Sequence, residues 1–119
     1  MGTTRGLKQR DRAIHCAAVE PAEPMHGLEG LKHMPSSIVP AIYDESLLDE
    51  KLPVTTDAGW DMAERIRHEE GILVGHSSGA ALVGALTVAK RLRDAGQRGN
   101  VVTLFPDRAD RYFDPFNNI

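Results

Sequence analysis

The 119-residue sequence has a single cysteine, Cys16, which excludes an internal disulfide. It has 14 lysine and arginine residues against 17 aspartate and glutamate residues, so no basic excess is available to neutralise the phosphates of nucleic acid. The most apolar stretch, residues 71–89, is interrupted by His76, Ser77 and Ser78, and the N-terminus has no apolar segment. These absences predict a soluble, cytoplasmic protein that binds neither nucleic acid nor membranes.

The apolar share of 41% and the charged share of 26% suit one globular domain with a real core. Apolar runs that alternate with amphipathic segments predict an α/β fold, with a mostly parallel sheet and flanking helices. We predict helices at residues 3–10, 57–70 and 79–94, strands at 13–20, 54–56, 72–74 and 101–105, and a long irregular segment at 21–53.

The turn at residues 75–79 supports three hypotheses. Its sequence, GHSSG, matches the G-x-S-x-G elbow of α/β-hydrolases between a strand and a helix, but no histidine follows Ser77 to act as its base. A second hypothesis is a ligand site, because a helix N-terminus has unpaired N–H groups and glycine permits close approach. The third is that a serine simply caps the helix.

Two other segments are weaker signals by themselves. Residues 105–112 follow the last predicted strand, where open α/β sheets have their ligand crevices, although a surface loop with local Asp–Arg pairs is equally compatible. Residues 26–31 place two glycines inside the long loop. No histidine, cysteine or carboxylate spacing indicates a metal site.

Together these segments resemble one family. Residues 71–81, GILVGHSSGAA, closely resemble the G-I-L-x-G-x-S-S-G-A-A segment of cysteine synthases, also called O-acetylserine sulfhydrylases. Residues 107–112 resemble the D-R-G-D-R-Y segment of the B-type enzymes, and residues 17–21 resemble V-A-V-E-P. Residues 26–31 resemble H-x-I-Q-G-I. The matches keep the family's order over about residues 1–113.

The resemblance implies the fold, the cofactor and the reaction. The fold is the large domain of fold-type-II (tryptophan-synthase-β-like) enzymes, and the cofactor is pyridoxal 5'-phosphate (PLP). The reaction is β-replacement on an activated serine, such as O-acetylserine, with sulfide to give cysteine. The full-length form is expected to be a homodimer with an amino-acid substrate. The alternatives are a cystathionine β-synthase-like enzyme and a non-catalytic remnant of the fold.

The resemblance also implies roles for individual residues. Ser77 would face the pyridine nitrogen of PLP, and the backbone of Gly75 and His76 would line the ring pocket. Gly30 would border the substrate pocket. Glu29 stands where the family has glutamine, which leaves the sulfur donor open.

Several family segments have no counterpart here. The cofactor-binding lysine belongs to a P-x-x-S-x-K-D-R segment, and none of the four lysines lies in that setting. The T-S-G-N-T loop and the phosphate loop are absent as well. We therefore expect residues 1–119 to be the C-terminal portion of the PLP-binding domain, with no catalytic residue and no activity on its own. Residues 113–119 depart from the family pattern.

Overall fold

The computed structural model describes residues 1–28 and 30–112, so Glu29 and the segment 113–119 lie outside the described residues. The helices are α1 (Gly2–Arg10), α2 (Thr56–Glu70) and α3 (His76–Asp94), and the strands are β1 (Ala17–Pro21) and β2 (Glu50–Val54). Short 3₁₀ turns lie at Met34–Ser36, Glu45–Leu47 and Ala109–Arg111. Within the described ranges, no helix is long and apolar enough to cross a membrane.

The two strands form a parallel sheet whose register runs from Ala17 opposite Glu50 to Pro21 opposite Val54. Pro53 lies inside β2, which is tolerated because β2 is an edge strand here. The sheet packs closely on α3, since a Cβ built at Gly84 would overlap the Val19 side chain. The α/β class with parallel pairing is therefore confirmed.

Helices α2 and α3 pack at very short range because glycines replace side chains at their contact. A Cβ at Gly79 would overlap the carbonyl oxygen of Gly59 and lie 2.7 Å from the Ala63 nitrogen. Thr55 caps the start of α2, and its hydroxyl accepts from the Ala58 N–H at 3.2 Å. Gly71 caps the end of α2, and its φ of 70° is the left-handed conformation that glycine adopts without strain.

The buried core has two clusters. One cluster joins the loop after β1 to the sheet and α3 through Leu28, Val54 and Ala80. The other joins α2 to the segment before α3 through Ala63, Ile66 and Val74. The clusters include Ala80 of α3 and Val74 just before the helix, so both lie beside the start of α3.

Two predicted strands are wrong. Residues 72–74 contribute only one isolated antiparallel bridge, Val74 to Arg108, and residues 101–105 belong to no strand. Most of their apolar side chains are exposed instead, although Val74 is buried. Apolarity and β-branching favour extended backbone, but a strand also needs a continuous run of paired residues. Among the described residues these two segments have only the single Val74–Arg108 bridge.

Other boundaries also differ from the prediction. Helix α3 begins at His76 rather than at 79, so residues 76–78 form its first turn. Strand β1 lies at 17–21 rather than at the predicted 13–20. Strand β2 lies at 50–54 rather than 54–56, because these are the residues that pair with β1.

Candidate functional site at the start of helix α3

The start of α3 has backbone donors without intrahelical partners. Gly75 is the N-cap in an extended conformation (φ −75°, ψ 169°), and no side chain caps the helix. The backbone N–H groups of His76 and Ser77 make no hydrogen bond to the described backbone. The hypothesis that a serine serves here only as a cap is therefore wrong.

The two serines of this turn differ in their surroundings. Ser78 is fully buried, and its hydroxyl donates to the Asp107 carbonyl at 3.4 Å. Ser77 is 5% exposed, and its hydroxyl makes no hydrogen bond within the described ranges. Ser77 is thus a nearly buried hydroxyl at the positive end of a 19-residue helix, available to a ligand.

The segment after residues 101–105 forms the second wall of the site. The Asp107 carbonyl accepts from the Gly75 N–H at 3.3 Å, and the Ala109 N–H donates to the Leu73 carbonyl at 3.4 Å. The structure therefore brings together two segments that the sequence singled out separately, residues 75–78 and 107–112.

Asp107 has an unusual environment beside Gly75. Its Oδ2 accepts from the Tyr112 hydroxyl, whereas its Oδ1 is buried with no hydrogen-bond partner among the described residues. A Cβ at Gly75 would overlap Oδ1 and lie 2.7 Å from a ring carbon of Tyr112. Glycine is required at position 75 because backbone and carboxylate meet there without room for a side chain.

An aromatic stack covers one side of the turn. The His76 ring lies 4.1 Å from the Trp60 ring, nearly parallel to it, and 5.6 Å from the Tyr112 ring. The Trp60 indole N–H donates to the Gly27 carbonyl at 3.0 Å. Trp60 therefore connects the loop that begins at His26 to the start of α3. The contact between Trp60 and His76 was not predictable from the sequence, because the two residues lie on different helices.

Gly30 is the remaining residue to which the sequence assigned a role. It is exposed, has a φ of 87°, and has no atom within 4 Å of a Cβ built on it. The structure does not bring Gly30 into contact with residues 75–78. Its loop reaches the site through Gly27 and Trp60 instead.

A charged cluster lies at the opposite end of α3. Glu50 accepts from Arg91 at 2.7 Å and pairs with the His15 ring at 2.8 Å. The hydrogen bond from Arg91, and next the one from His15, lowers the pKa of the Glu50 carboxyl. Arg91 lies about 20 Å along the helix from Ser77, so this cluster stabilises the fold and does not belong to the site. No metal-binding group of three or more His, Cys, Asp or Glu residues occurs in the described part.

Comparison with known proteins identifies the family. The family model described as "Pyridoxal-phosphate dependent enzyme" matches residues 1–107, so the chain belongs to the family of PLP-dependent enzymes.

Among relatives, the cysteine synthase of Aquifex aeolicus is 44% identical over 112 residues, which are 94% of this chain and 34% of the relative. The O-acetylserine dependent cystathionine beta-synthase of Bacillus subtilis is 37% identical over 116 residues, 93% of this chain and 37% of the relative.

The same fold occurs in solved structures. The O-acetylserine sulfhydrylase isoform 3 from Entamoeba histolytica superposes with a TM-score of 0.83 at 31% identity, covering 93% of this chain and 34% of that one. The chain therefore spans about a third of the length of the relatives that it matches.

Proposed function

We propose that this chain supplies part of the cofactor pocket of a PLP-dependent cysteine synthase. The reaction would be β-replacement on an activated serine, such as O-acetylserine, with sulfide. The observation that carries this proposal is the nearly buried Ser77 hydroxyl, which makes no hydrogen bond in the described part of the chain and lies in the segment that most closely resembles the family. The 44% identity to the Aquifex cysteine synthase supports the same assignment.

In this proposal Ser77 faces the pyridine nitrogen of the cofactor, and the backbone of Gly75 and His76 lines its ring. Gly30 borders the substrate pocket from the loop that Trp60 holds. The residues fit such a cofactor because the turn offers backbone N–H donors, a neutral hydroxyl and no protruding Cβ at Gly75. Residues 1–119 are then the C-terminal portion of the PLP-binding domain of a homodimeric enzyme.

When bound, PLP supplies an electron sink for the β-carbon chemistry. Ser77 donates a neutral hydrogen bond to the ring nitrogen without giving up its proton. A carboxylate at the same position would favour a protonated ring and a deeper sink, which invites side reactions. With the neutral Ser77 hydroxyl at this position, the cofactor ring would withdraw electrons only moderately. Moderate withdrawal is sufficient for an activated serine, because its leaving group departs readily.

The test uses a chimera in which this chain replaces the matching 34% of the Aquifex aeolicus cysteine synthase. We expect Ser77→Ala to bind PLP and to lose about two- to tenfold in cysteine formation, which corresponds to one neutral hydrogen bond of about 0.5–1.5 kcal/mol. We expect Ser77→Asp to lose far more. Ser78→Ala is the matched control, because its hydroxyl is bound to the Asp107 carbonyl. If Ser77→Asp forms cysteine as well as the unmodified chimera, Ser77 does not face the ring nitrogen.

A second candidate is cystathionine formation, with homocysteine as the sulfur donor. It is favoured by the 37% identity to the Bacillus subtilis enzyme and by a Helicobacter pylori structure of that kind, which superposes with a TM-score of 0.78 at 35% identity. Glu29 stands where the family has glutamine, so donor preference remains open to assay. Parallel assays of the chimera with sulfide and with homocysteine distinguish the two reactions. A chimera that folds, binds PLP and forms neither product would support a non-catalytic remnant.

A further inference from the structure

A cleft lined with basic side chains lies between α1 and the loop before β2, and we call it the α1 cleft. Its volume is about 660 Å³. Four basic residues of α1 and of the turn after it line the cleft, namely Arg5, Lys8, Arg10 and Arg12. The cleft shares no lining residue with residues 75–78 or 107–112, so it is separate from the candidate site.

The lining of the α1 cleft has one acidic residue among the described residues, Asp49, and its carboxylate already has partners. Asp49 pairs with Lys8 at 2.5 Å and accepts from the Cys16 N–H at 2.7 Å. Lys8 and Asp49 therefore neutralise each other. Three arginines remain, and they form neither a hydrogen bond nor an ion pair through their guanidinium groups with any residue in the described ranges. The cleft thus concentrates three excess positive charges in a chain whose formal net charge is −3.

The acidic residues nearest to the cleft do not neutralise these arginines, because their carboxylates bind local turns. Asp44 accepts from the Ser46 N–H at 3.0 Å and from the Ser46 hydroxyl at 2.5 Å. The hydrogen bonds from Ser46, and to a smaller extent the charge of Arg5, lower the pKa of Asp44. Asp11, directly after α1, accepts from the Ala13 N–H at 2.8 Å.

The dipole of α1 explains only part of the positive charge. Basic side chains in the last turn of a helix interact favourably with its C-terminal carbonyl groups, and Lys8 and Arg10 lie in the last turn of α1. Arg5 lies in the middle of the helix, and Arg12 lies two residues beyond its end. The dipole therefore accounts for neither Arg5 nor Arg12.

We propose that the α1 cleft binds a small anion that carries two or three phosphate groups. Guanidinium groups bind phosphate oxygens through paired N–H donors, and three excess positive charges match the charge of such a ligand. Arg5 and Arg10 are five residues apart, which corresponds to about 7.5 Å along the helix axis. A chain of phosphates therefore reaches more of the guanidinium groups at once than a single phosphate does.

The size and position of the α1 cleft indicate a ligand other than the substrate of the proposed reaction. Its volume lies within the range of about 300–1,000 Å³ that is typical of small-molecule sites. The proposed cofactor pocket lies at the start of α3 instead. The anion would thus be a separate ligand, and this inference does not rest on the proposed reaction.

The test measures tripolyphosphate binding by titration calorimetry, with the 119-residue chain and with the Aquifex chimera. Inorganic phosphate is the comparison ligand. We expect one-to-one binding in both proteins that weakens as salt is added. Tripolyphosphate should bind at least about tenfold more tightly than phosphate, because each further charge-assisted contact contributes about that factor. Neither PLP nor a serine substrate is needed, so a chimera that binds tripolyphosphate but forms no cysteine would contradict only the proposed reaction.

Substitutions of opposite sign test the site directly. Arg5→Gln and Arg12→Gln should each weaken tripolyphosphate binding by about three- to tenfold. Arg98→Gln is the matched control, because Arg98 is also exposed, has no ion-pair partner in the described part of the chain and does not line the cleft. Asp49→Asn should tighten binding by about three- to tenfold, because it removes the negative charge of the lining and releases Lys8. Circular dichroism checks that each variant is folded.

Four outcomes would overturn the proposal. Absence of saturable tripolyphosphate binding would leave the cleft without this ligand. Equal losses in Arg5→Gln and Arg98→Gln would mean that binding follows the net charge and has no defined site. Binding to the 119-residue chain but not to a folded chimera would mean that the rest of the enzyme covers the cleft. Binding to an RNA oligonucleotide, or to vesicles that contain phosphatidylinositol bisphosphate, without binding of free tripolyphosphate would assign the surface to nucleic acid or to a membrane.

Discussion

The indole of Trp60 stacks on the imidazole of His76, with ring centroids 4.1 Å apart and an interplanar angle of 11°. The same indole donates its N–H to the Gly27 carbonyl. One side chain of α2 therefore fixes both the loop that follows β1 and the first turn of α3. This contact makes the position of the candidate site depend on α2.

We expect His76→Ala to destabilise the fold by about 0.5–1.5 kcal/mol, the usual value of an aromatic pair beyond its buried area. His76→Phe should retain most of that contribution because the stack is kept. Trp60 is the only tryptophan, so urea unfolding followed by its fluorescence measures both variants. His68→Ala is the control, since His68 is exposed and lies 3.6 Å from Glu64. Equal effects at His76 and His68 would contradict the role of the stack.

We expect Gly79→Ala to destabilise the protein by about 1–3 kcal/mol or more, because the added Cβ overlaps the Gly59 carbonyl and drives α2 and α3 apart. Gly6→Ala is the matched control. Gly6 lies inside α1 with nothing within 4 Å of its Cβ, so alanine there should stabilise by up to about 1 kcal/mol. Thermal unfolding of the two variants measures the contrast. A tolerated Gly79→Ala would show that the close helix contact is absent in solution.

The Glu50 cluster predicts an acid-dependent contribution to stability. Because folding lowers the pKa of Glu50 below its ordinary value of about 4.5, its contribution is present above that pH and is lost as the pH falls through the folded value. The difference in unfolding free energy between wild type and Glu50→Gln should therefore shrink as the pH falls below about 4.

Urea unfolding from pH 7 to pH 3 measures the Glu50 difference. Glu69→Gln is the control, because it removes one member of the exposed Arg65–Glu69 pair on α2. Its difference in unfolding free energy from wild type should change less over the same pH range. A Glu50 difference that stays constant down to pH 3 would mean that the pairs with Arg91 and His15 do not form.

The isolated 119-residue chain should not bind PLP covalently at one defined lysine. None of the four lysines lies in a segment that resembles the family's cofactor-lysine segment. Three of them also have partners: Lys8 pairs with Asp49, Lys51 pairs with Glu45, and the Lys32 ammonium donates to the Ile38 carbonyl. Mixing the chain with PLP, reducing with borohydride and mapping the adduct by mass spectrometry tests this expectation. A stoichiometric adduct on a single lysine would show that the chain has its own cofactor lysine.

Much of the fold was predictable because local chemistry determines it. The helix at residues 57–70 and its end at Gly71 follow from the amphipathic spacing and from glycine's access to positive φ. The segment resemblance at residues 71–81 likewise predicted the PLP family, which the family match confirms. The roles of Gly30, Gly75, His76 and Ser77 toward the cofactor stay predictions.

The sequence by itself determined the helices, the apolar character of the extended segments and the family. Tertiary structure alone decided which extended segments become strands. The segments β1 and β2 pair with each other, whereas residues 101–105 have no pairing partner in the described chain. It also decided that Asp107 meets Gly75 and that Trp60 meets His76, contacts between residues 32 and 16 positions apart. Such pairings depend on how closely α2 and α3 pack at their glycines. No local sequence pattern determines the distance between the two helices.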